Sequence, residues 1–342
     1  MKIRTAKLVD IKRIEIFEEE LEALKQGEVL VQMKSVGICG SDMHYFKEGG
    51  LGSFKSPLPM YLGHEPAGIV VESKSAKFHQ GTRVAVEPGR PCVTSYWSMK
   101  GKHNLCEKGT FMGANSQGAF SDYVIVDELQ LVELPNEMSY DMGALMEPLG
   151  VGLHSFNLVK PSFTDTALII GCGPIGLCLL SILRKAGLRE IYMVDKLEYR
   201  LKFAKRLGAT DAFLLDKETV KNIKMATNNF GCSITFDTGG TSDSINTCIA
   251  SSSVAGKLAL IGIPETDFTS LNPHQMRTKE LEIYNVRRSN QTLHDCIKNY
   301  SNELNDDIES IVTHKVHFDK IQEAFEMVAE YSNNVVKCMI NF

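Results

Sequence analysis

Hydrophobic and polar positions alternate along this chain in two different rhythms. Over the first 150 residues the period is two. In EVLVQMKSVGICGSD, Val29, Val31 and Met33 alternate with Leu30, Gln32 and Lys34, which suits a half-buried strand. GIVVES, TRVAVEP and SDYVIVD are further short β-branched runs, separated by Gly, Pro, Ser and Asp. A β-rich first domain follows from that pattern. From about Thr166 strands alternate with helices. TALII, EIYMV, AFLL, SITFD and KLALIG read as strands, and LEYRLKFAKRLGA between them sets Leu197, Leu201, Phe203, Ala204 and Leu207 toward one helical face. Repeated β and α units predict a parallel, doubly wound sheet. Beyond the final strand LEIYNV, the amphipathic helix HFDKIQEAFEMV belongs to a segment that either extends this sheet or returns to the first domain.

Length and composition narrow the class. A chain of 342 residues exceeds what one hydrophobic core usually supports, so two domains are expected. Net charge is −5, which argues against a nucleic-acid or anionic-membrane surface, because both need clustered Lys and Arg. The uncharged run ALIIGCGPIGLCLLSIL, Ala167 to Leu183, is short for a bilayer span and holds three glycines and a proline, so no membrane helix is expected. MKIRTAKLVDIKRIEIFEEE has no apolar core of the signal-peptide kind. Nine scattered cysteines then read as reduced cytoplasmic thiols, with any special one serving metal or catalysis.

After the strand TALII comes Gly171-Cys172-Gly173-Pro174-Ile175-Gly176, which opens directly into a helix. The first glycine permits a tight turn, the second lets the backbone approach a pyrophosphate, and the third allows close helix–strand packing. The helix N-terminus adds N–H groups and a positive dipole. Asp195 ends the next strand, where a carboxylate accepts hydrogen bonds from the adenosine ribose and repels a 2′-phosphate. NAD is therefore expected over NADP, an expectation softened by the nearby basic residues Lys196 and Arg200. Lys196 reads more simply as a solvated charge at the helix start.

Cys39, in GICGSDMHY, and His64-Glu65, in LGHEP, are residue types that zinc prefers. Spacing alone does not bring them together; a lone Cys39 reads as a buried small side chain and His64-Glu65 as a surface pair. GICGSDMHY, LGHEPAG, ALMEPLGVGLH and GCGPIG together, in this order over nearly the whole chain, resemble the zinc-dependent medium-chain dehydrogenases, and most of all their polyol (sorbitol and xylitol) branch. The resemblance implies an α/β protein with a GroES-like β-rich catalytic domain at residues 1–150, completed by 288–342. A Rossmann NAD-binding domain takes 151–287, with the active site in the cleft. It also implies catalytic zinc held by Cys39 and His64, with Glu65 ligating in some states. Glu147 occupies a position where related enzymes carry a further ligand, and there acts on the metal directly or through water; its plainer reading is a helix-start carboxylate.

By the same resemblance Ser41 receives the alcohol proton, with His44 continuing the relay. Tyr45, Glu147 and Arg288 meet the substrate, and Ile261, Gly262, Ile263, Val286 and Arg287 line the nicotinamide. Plainer readings are a turn cap for Ser41 and a satisfied polar pair for His44 and Tyr45. Ser289 stands where the polyol enzymes often have tyrosine, which leaves polyol length and stereochemistry open. The implied reaction is Lewis-acid-assisted hydride transfer from a secondary hydroxyl of a polyol to NAD, giving a ketose. Other zinc alcohol dehydrogenases, acting on threonine, a cyclitol, a sugar-alcohol phosphate or a simple secondary alcohol, are the first alternative. A non-catalytic NAD-binding protein is the second. Homodimers or homotetramers are implied.

Family members often carry a second, structural zinc on cysteines spaced C-x2-C-x2-C-x7-C. Those positions here are Cys92, Ser95, Ser98 and Cys106. Serine hydroxyls are poor substitutes for thiolates, so one catalytic zinc per chain and no structural zinc is expected. The loop should instead be held by packing, with Trp97 as its anchor. Cys92 and Cys106 can lie close, although a disulfide is disfavoured in a reducing cytosol.

Overall fold

The computed structural model describes residues 1–300 and 305–342. The chain divides into two compact units, one formed by Met1–Gly150 with Ser289–Phe342 and the other by Val151–Arg288.

The first unit is built around the strand Glu28–Gly37, whose inward positions Val29, Val31, Met33 and Val36 are fully buried. It pairs antiparallel with Glu65–Ser73, Tyr123–Asp127 and Lys337–Asn341. The segment after the parallel sheet therefore returns to this unit. Val312–His317 pairs with Lys337–Asn341, and the helix Ile321–Ala329 buries Ile321, Ala324 and Phe325 in the same core. That core gathers Val31, Met33, Val84, Phe120 and Ile340, with Phe120 and Phe325 edge to face at 5.5 Å.

The second unit is a six-stranded parallel sheet. Its spatial order is Asp211–Leu214, Glu190–Asp195, Thr166–Ile170, Cys232–Asp237, Ser252–Leu260 and Glu282–Asn285. In chain order this is 3-2-1-4-5-6, the doubly wound dinucleotide arrangement. Its inner strands are apolar almost throughout, as strands covered on both faces must be: Ala167 to Ile170 and Ile191 to Val194 are all buried. The uncharged run 167–183 is thus a buried strand, a turn and most of the helix Pro174–Lys185. No helix among the described residues is long and apolar enough to cross a membrane.

Candidate active site

Strand register brings the first cluster together. Gly37 sits opposite Glu65 on one side and opposite Met339 on the other. Cys39 lies just beyond the end of one strand, His64 just before the start of its neighbour, and Lys337 two residues from the third contact. A side chain at position 37 has no room: a Cβ there would fall 2.0 Å from Glu65 Oε2 and 2.8 Å from Lys337 Cε. Glycine is what lets these two buried groups meet over the strand.

The ligand atoms of Cys39, His64 and Glu65 all lie within 4.8 Å of one another. Ligand atoms around tetrahedral zinc stand roughly 3.5 Å apart, so a sulfur, an imidazole nitrogen and a carboxylate oxygen gathered this closely fit the ion after small side-chain adjustments. His64 is buried at 6% exposure. Its Nδ1 lies 3.6 Å from Asp42 Oδ1 and its Nε2 3.4 Å from Ser41 Oγ. Asp42 orients the ring and leaves Nε2 for the metal, the usual arrangement behind a ligating histidine. Burial lowers the His64 pKa, but Asp42 and Cys39 outweigh it and hold the ring well above its ordinary value, so a proton and a metal compete for this imidazole. Asp42 is fixed in turn by the helix Gly40–Glu48. It stands at the third helical position, where Oδ2 accepts from Cys39 N–H at 2.9 Å, while Oδ1 accepts from Gly63 N–H at 3.4 Å.

Glu65 Oε2 pairs with Lys337 Nζ, and that ammonium also donates to the carbonyl of Ile38 at 3.0 Å. The pair is almost fully out of solvent. Burial works against the Lys337 charge, and Glu65 and Cys39 more than offset it. Glu147 is buried but is not among the atoms of the tight cluster. It does not start a helix: the helix Tyr140–Val159 begins seven residues earlier, so a dipole-stabilised terminal carboxylate is the wrong description. Burial drives its carboxyl above the carboxylate range; Glu65 and Glu87 add to the shift, while His64 and Lys337 oppose it. Behind it, Glu87 accepts from the Ser289 hydroxyl at 2.6 Å and is pushed up to about 7 by burial, partly relieved by Ser289 and the Leu293 amide.

Ser41, His44 and Tyr45 lie with Asp42 on the helix Gly40–Glu48, which Cys39 precedes as N-cap, Tyr45 on its buried side. Arg288 falls in the second unit and takes a left-handed backbone with φ of 57°. Asp42, Lys337 and Glu87 are absent from the sequence reading. Asp42 could have been found from its capping position three residues after Cys39, and Lys337 from its place as a lone charge inside the apolar run VVKCMI.

The loop 91–106 corrects one expectation. Trp97 is 40% exposed and anchors nothing in the core. Ser95 and Ser98, both buried, hydrogen-bond to each other at 3.0 Å, and Ser95 caps the short helix Tyr96–Met99. Asn290 ties the loop down, accepting from His103 N–H at 2.9 Å and donating to the Gly101 carbonyl at 2.9 Å. Polar anchors have replaced packing here.

In the second unit, Gly173 is the N-cap of the helix Pro174–Lys185 and supplies no side chain. The first-turn N–H groups are thereby left for an anion. Gly176 is obligatory: a Cβ there would sit 1.8 Å from the Gly171 carbonyl oxygen. Ile175 lies in the first turn, and Arg200 Nη1 reaches within 3.7 Å of the position a Gly173 Cβ would take. Asp195 closes the cradle, accepting from Cys172 N–H at 2.6 Å and Leu197 N–H at 2.8 Å. Farther along the sheet the Asp237 carbonyl accepts from the amides of Ile261 and Gly262, and its carboxylate from Gly240 N–H at 3.0 Å. Val286 N–H donates to the Leu260 carbonyl, Ile263 is 44% exposed, and Arg287 follows directly. This cradle fits a dinucleotide: a bare helix N-terminus for the pyrophosphate and a carboxylate at the end of the adjacent strand.

A thiol–imidazole–carboxylate cluster on one unit and a dinucleotide cradle on the other define a class of metal-assisted oxidoreductases. Comparison with known proteins agrees. Residues 25–136 match the alcohol dehydrogenase GroES-like domain and residues 174–306 the zinc-binding dehydrogenase family. The chain belongs to the zinc-dependent medium-chain dehydrogenases, in their polyol branch. It is 31% identical to a sorbitol dehydrogenase of Bacillus subtilis, over 99% of this chain and 97% of that protein. It is 33% identical to an L-idonate 5-dehydrogenase of Vitis vinifera, over 98% and 93%. The crystal structure of 2R,3R-butanediol dehydrogenase from Bacillus subtilis superposes with a TM-score of 0.87 at 29% identity, covering 99% of each chain. The protein is an oxidoreductase whose cofactors are zinc and a nicotinamide dinucleotide.

Proposed function

We propose that the protein oxidises a secondary hydroxyl of a polyol or vicinal diol to the ketone, with NAD as acceptor. The observation that carries this reading is the convergence of Cys39, His64 and Glu65, with Asp42 behind the imidazole and Lys337 behind the carboxylate. The relatives named above act, by their names, on sorbitol, L-idonate and 2R,3R-butanediol. Each of these places a secondary hydroxyl beside a second oxygen-bearing carbon. Zinc, when bound, supplies a Lewis acid that acidifies the substrate hydroxyl, and the nicotinamide ring accepts hydride.

The chain's own residues do the rest. Cys39 and His64 hold the ion, and Glu65 joins them on leaving Lys337. Glu147, buried beside Glu65 and Glu87, has its carboxyl pushed up to about 8 and meets either metal or substrate. Ser41 Oγ takes the proton of the reacting hydroxyl as it passes its own to His44, three residues on along the same helix. Tyr45 and Arg288 hydrogen-bond the remaining substrate hydroxyls. Asp195, oriented by two backbone amides, binds the adenosine ribose and disfavours a 2′-phosphate.

A panel of sugar alcohols, vicinal diols and threonine, run with NAD and with NADP and with and without a chelator, tests this reading. Highest kcat/KM on polyols or diols with NAD, lost on chelation and restored by zinc, is expected. Chelator-insensitive turnover, or a preference for threonine or NADP, overturns it.

A further inference from the structure

The loop 91–106 keeps two cysteines that the metal cluster does not use. Cys92 and Cys106 are both half-buried and both free thiols. They are not independent. The Cys92 N–H donates to Cys106 Sγ at 3.3 Å, and the Cys92 carbonyl oxygen lies 3.8 Å from the same sulfur. Ser95 Oγ stands 3.1 Å from Cys106 Sγ, so the hydroxyl at a lost thiolate position is now a neighbour of the surviving one. Cys92 Sγ is turned toward Thr94 Oγ1 at 3.3 Å.

The Cys92 amide favours an ionised Cys106 sulfur, while the Cys92 carbonyl accepts only from the neutral thiol. Burial raises the Cys106 thiol, but Ser95, Ser98 and the backbone of Cys92 and Lys108 outweigh it and lower the thiol to about 7. Thr94 lowers the Cys92 thiol as well. A thiolate is the nucleophilic form, and partial exposure with hydrogen-bond donors is the setting in which cysteines react with peroxides.

We propose that Cys106 and Cys92 form an oxidation site: Cys106 is the nucleophile toward a hydroperoxide, and Cys92 resolves the product into an intrachain disulfide. In the first step the Cys106 thiolate attacks a peroxide oxygen. The O–O bond breaks, Cys106 becomes a sulfenic acid, and the other oxygen leaves as hydroxide and is protonated to water. In the second step Cys92, turning away from Thr94, attacks the sulfenic sulfur. An S–S bond forms, the S–O bond breaks, and hydroxide leaves and is protonated. Two thiols lose two electrons, and one hydrogen peroxide is reduced to two waters. The site lies outside the cluster of Cys39, His64 and Glu65, so its chemistry does not depend on the dehydrogenase reaction.

The test uses the zinc-loaded enzyme treated with a small excess of hydrogen peroxide, blocked with iodoacetamide and mapped by peptide mass. Expected is a linked pair of peptides carrying Cys92 and Cys106, 2 Da lighter than the free pair and restored by dithiothreitol, with bound zinc unchanged. Cys92→Ser should trap the sulfenic acid, giving a dimedone adduct at Cys106, and Cys106→Ser should give no bridge. Full alkylation of Cys92 and Cys106 in peroxide-treated wild type refutes the proposal without recourse to a variant. So does a dimedone adduct that appears at other cysteines but not at Cys106 in Cys92→Ser.

Discussion

Replacing Lys337 by Met keeps the length of the side chain and removes its ammonium from a place where no water can take over. The side chain is fully buried, and its nitrogen serves both Glu65 and the carbonyl of Ile38. Deleting one partner of such a pair strands the other charge, at a cost of about 3–5 kcal/mol. For a unit of this size that lowers Tm by on the order of 10 °C. The loss should be greatest in metal-free protein. Zinc held by Glu65 would neutralise it, so zinc should raise the Tm of Lys337→Met more than that of wild type. Adding Glu65→Gln removes the stranded charge, and the double variant should regain most of the lost stability. Thermal unfolding of the four proteins of this cycle, each with chelator and with zinc, measures every term. A loss below about 1 kcal/mol in the metal-free single variant would refute the buried-pair account, as would additive effects of the two substitutions.

Two further outcomes follow from Glu87 and Gly176. The Glu87 carboxyl is pushed from an ordinary 4.5 up to about 7, so between those values the folded chain binds more protons than the unfolded one. Its contribution therefore weakens the fold as pH rises through this window and leaves it weaker above 7, by roughly 3 kcal/mol. Glu87→Gln should gain stability relative to wild type by about that amount between pH 4.5 and 8; a pH-independent difference in unfolding free energy counts against the burial of this carboxyl. Gly176→Ala drives a methyl into the Gly171 carbonyl, so NADH binding, followed by fluorescence, should fall at least tenfold, the factor set by about 1.4 kcal/mol of strain at the turn. Zinc content should be unchanged, and unimpaired NADH binding would remove Gly176 from the cradle.

How legible all this was depends on the range of the interaction. The phosphate loop is local: glycine spacing, a strand before it and a helix after it lie within one stretch of sequence, and the structure arranges them so. The type of each metal-facing residue could also be read, but not their approach. Cys39, His64 and Glu65 meet because Gly37 pairs with Glu65, and no periodicity encodes that register. Lys337 and Glu87 were hidden for the same reason, since each is defined by a partner far away in the chain. Trp97 shows the opposite error. Its size suggested an anchor, while small hydroxyls at 95 and 98 and the amide of Asn290 hold the loop. For Glu147 the plainer reading, a helix-start carboxylate, fails because the helix begins at Tyr140 and runs on through Pro148.

The strand Lys337–Asn341 has a consequence for how the protein comes into being. Its lysine meets the carbonyl of Ile38 across a separation of 299 residues, and the whole parallel-sheet unit is translated between the two. During synthesis the nucleotide-binding unit emerges complete and can fold on its own schedule. Cys39, His64 and Glu65 emerge much earlier, yet they stay without Lys337 and their third neighbouring strand until translation is almost over. A nascent chain thus exposes Cys39 and His64 before Glu65 has its counter-charge. Metal taken up in that interval would bind an unfinished site, whereas metal delivered after release meets one in which Glu65 is already held by Lys337.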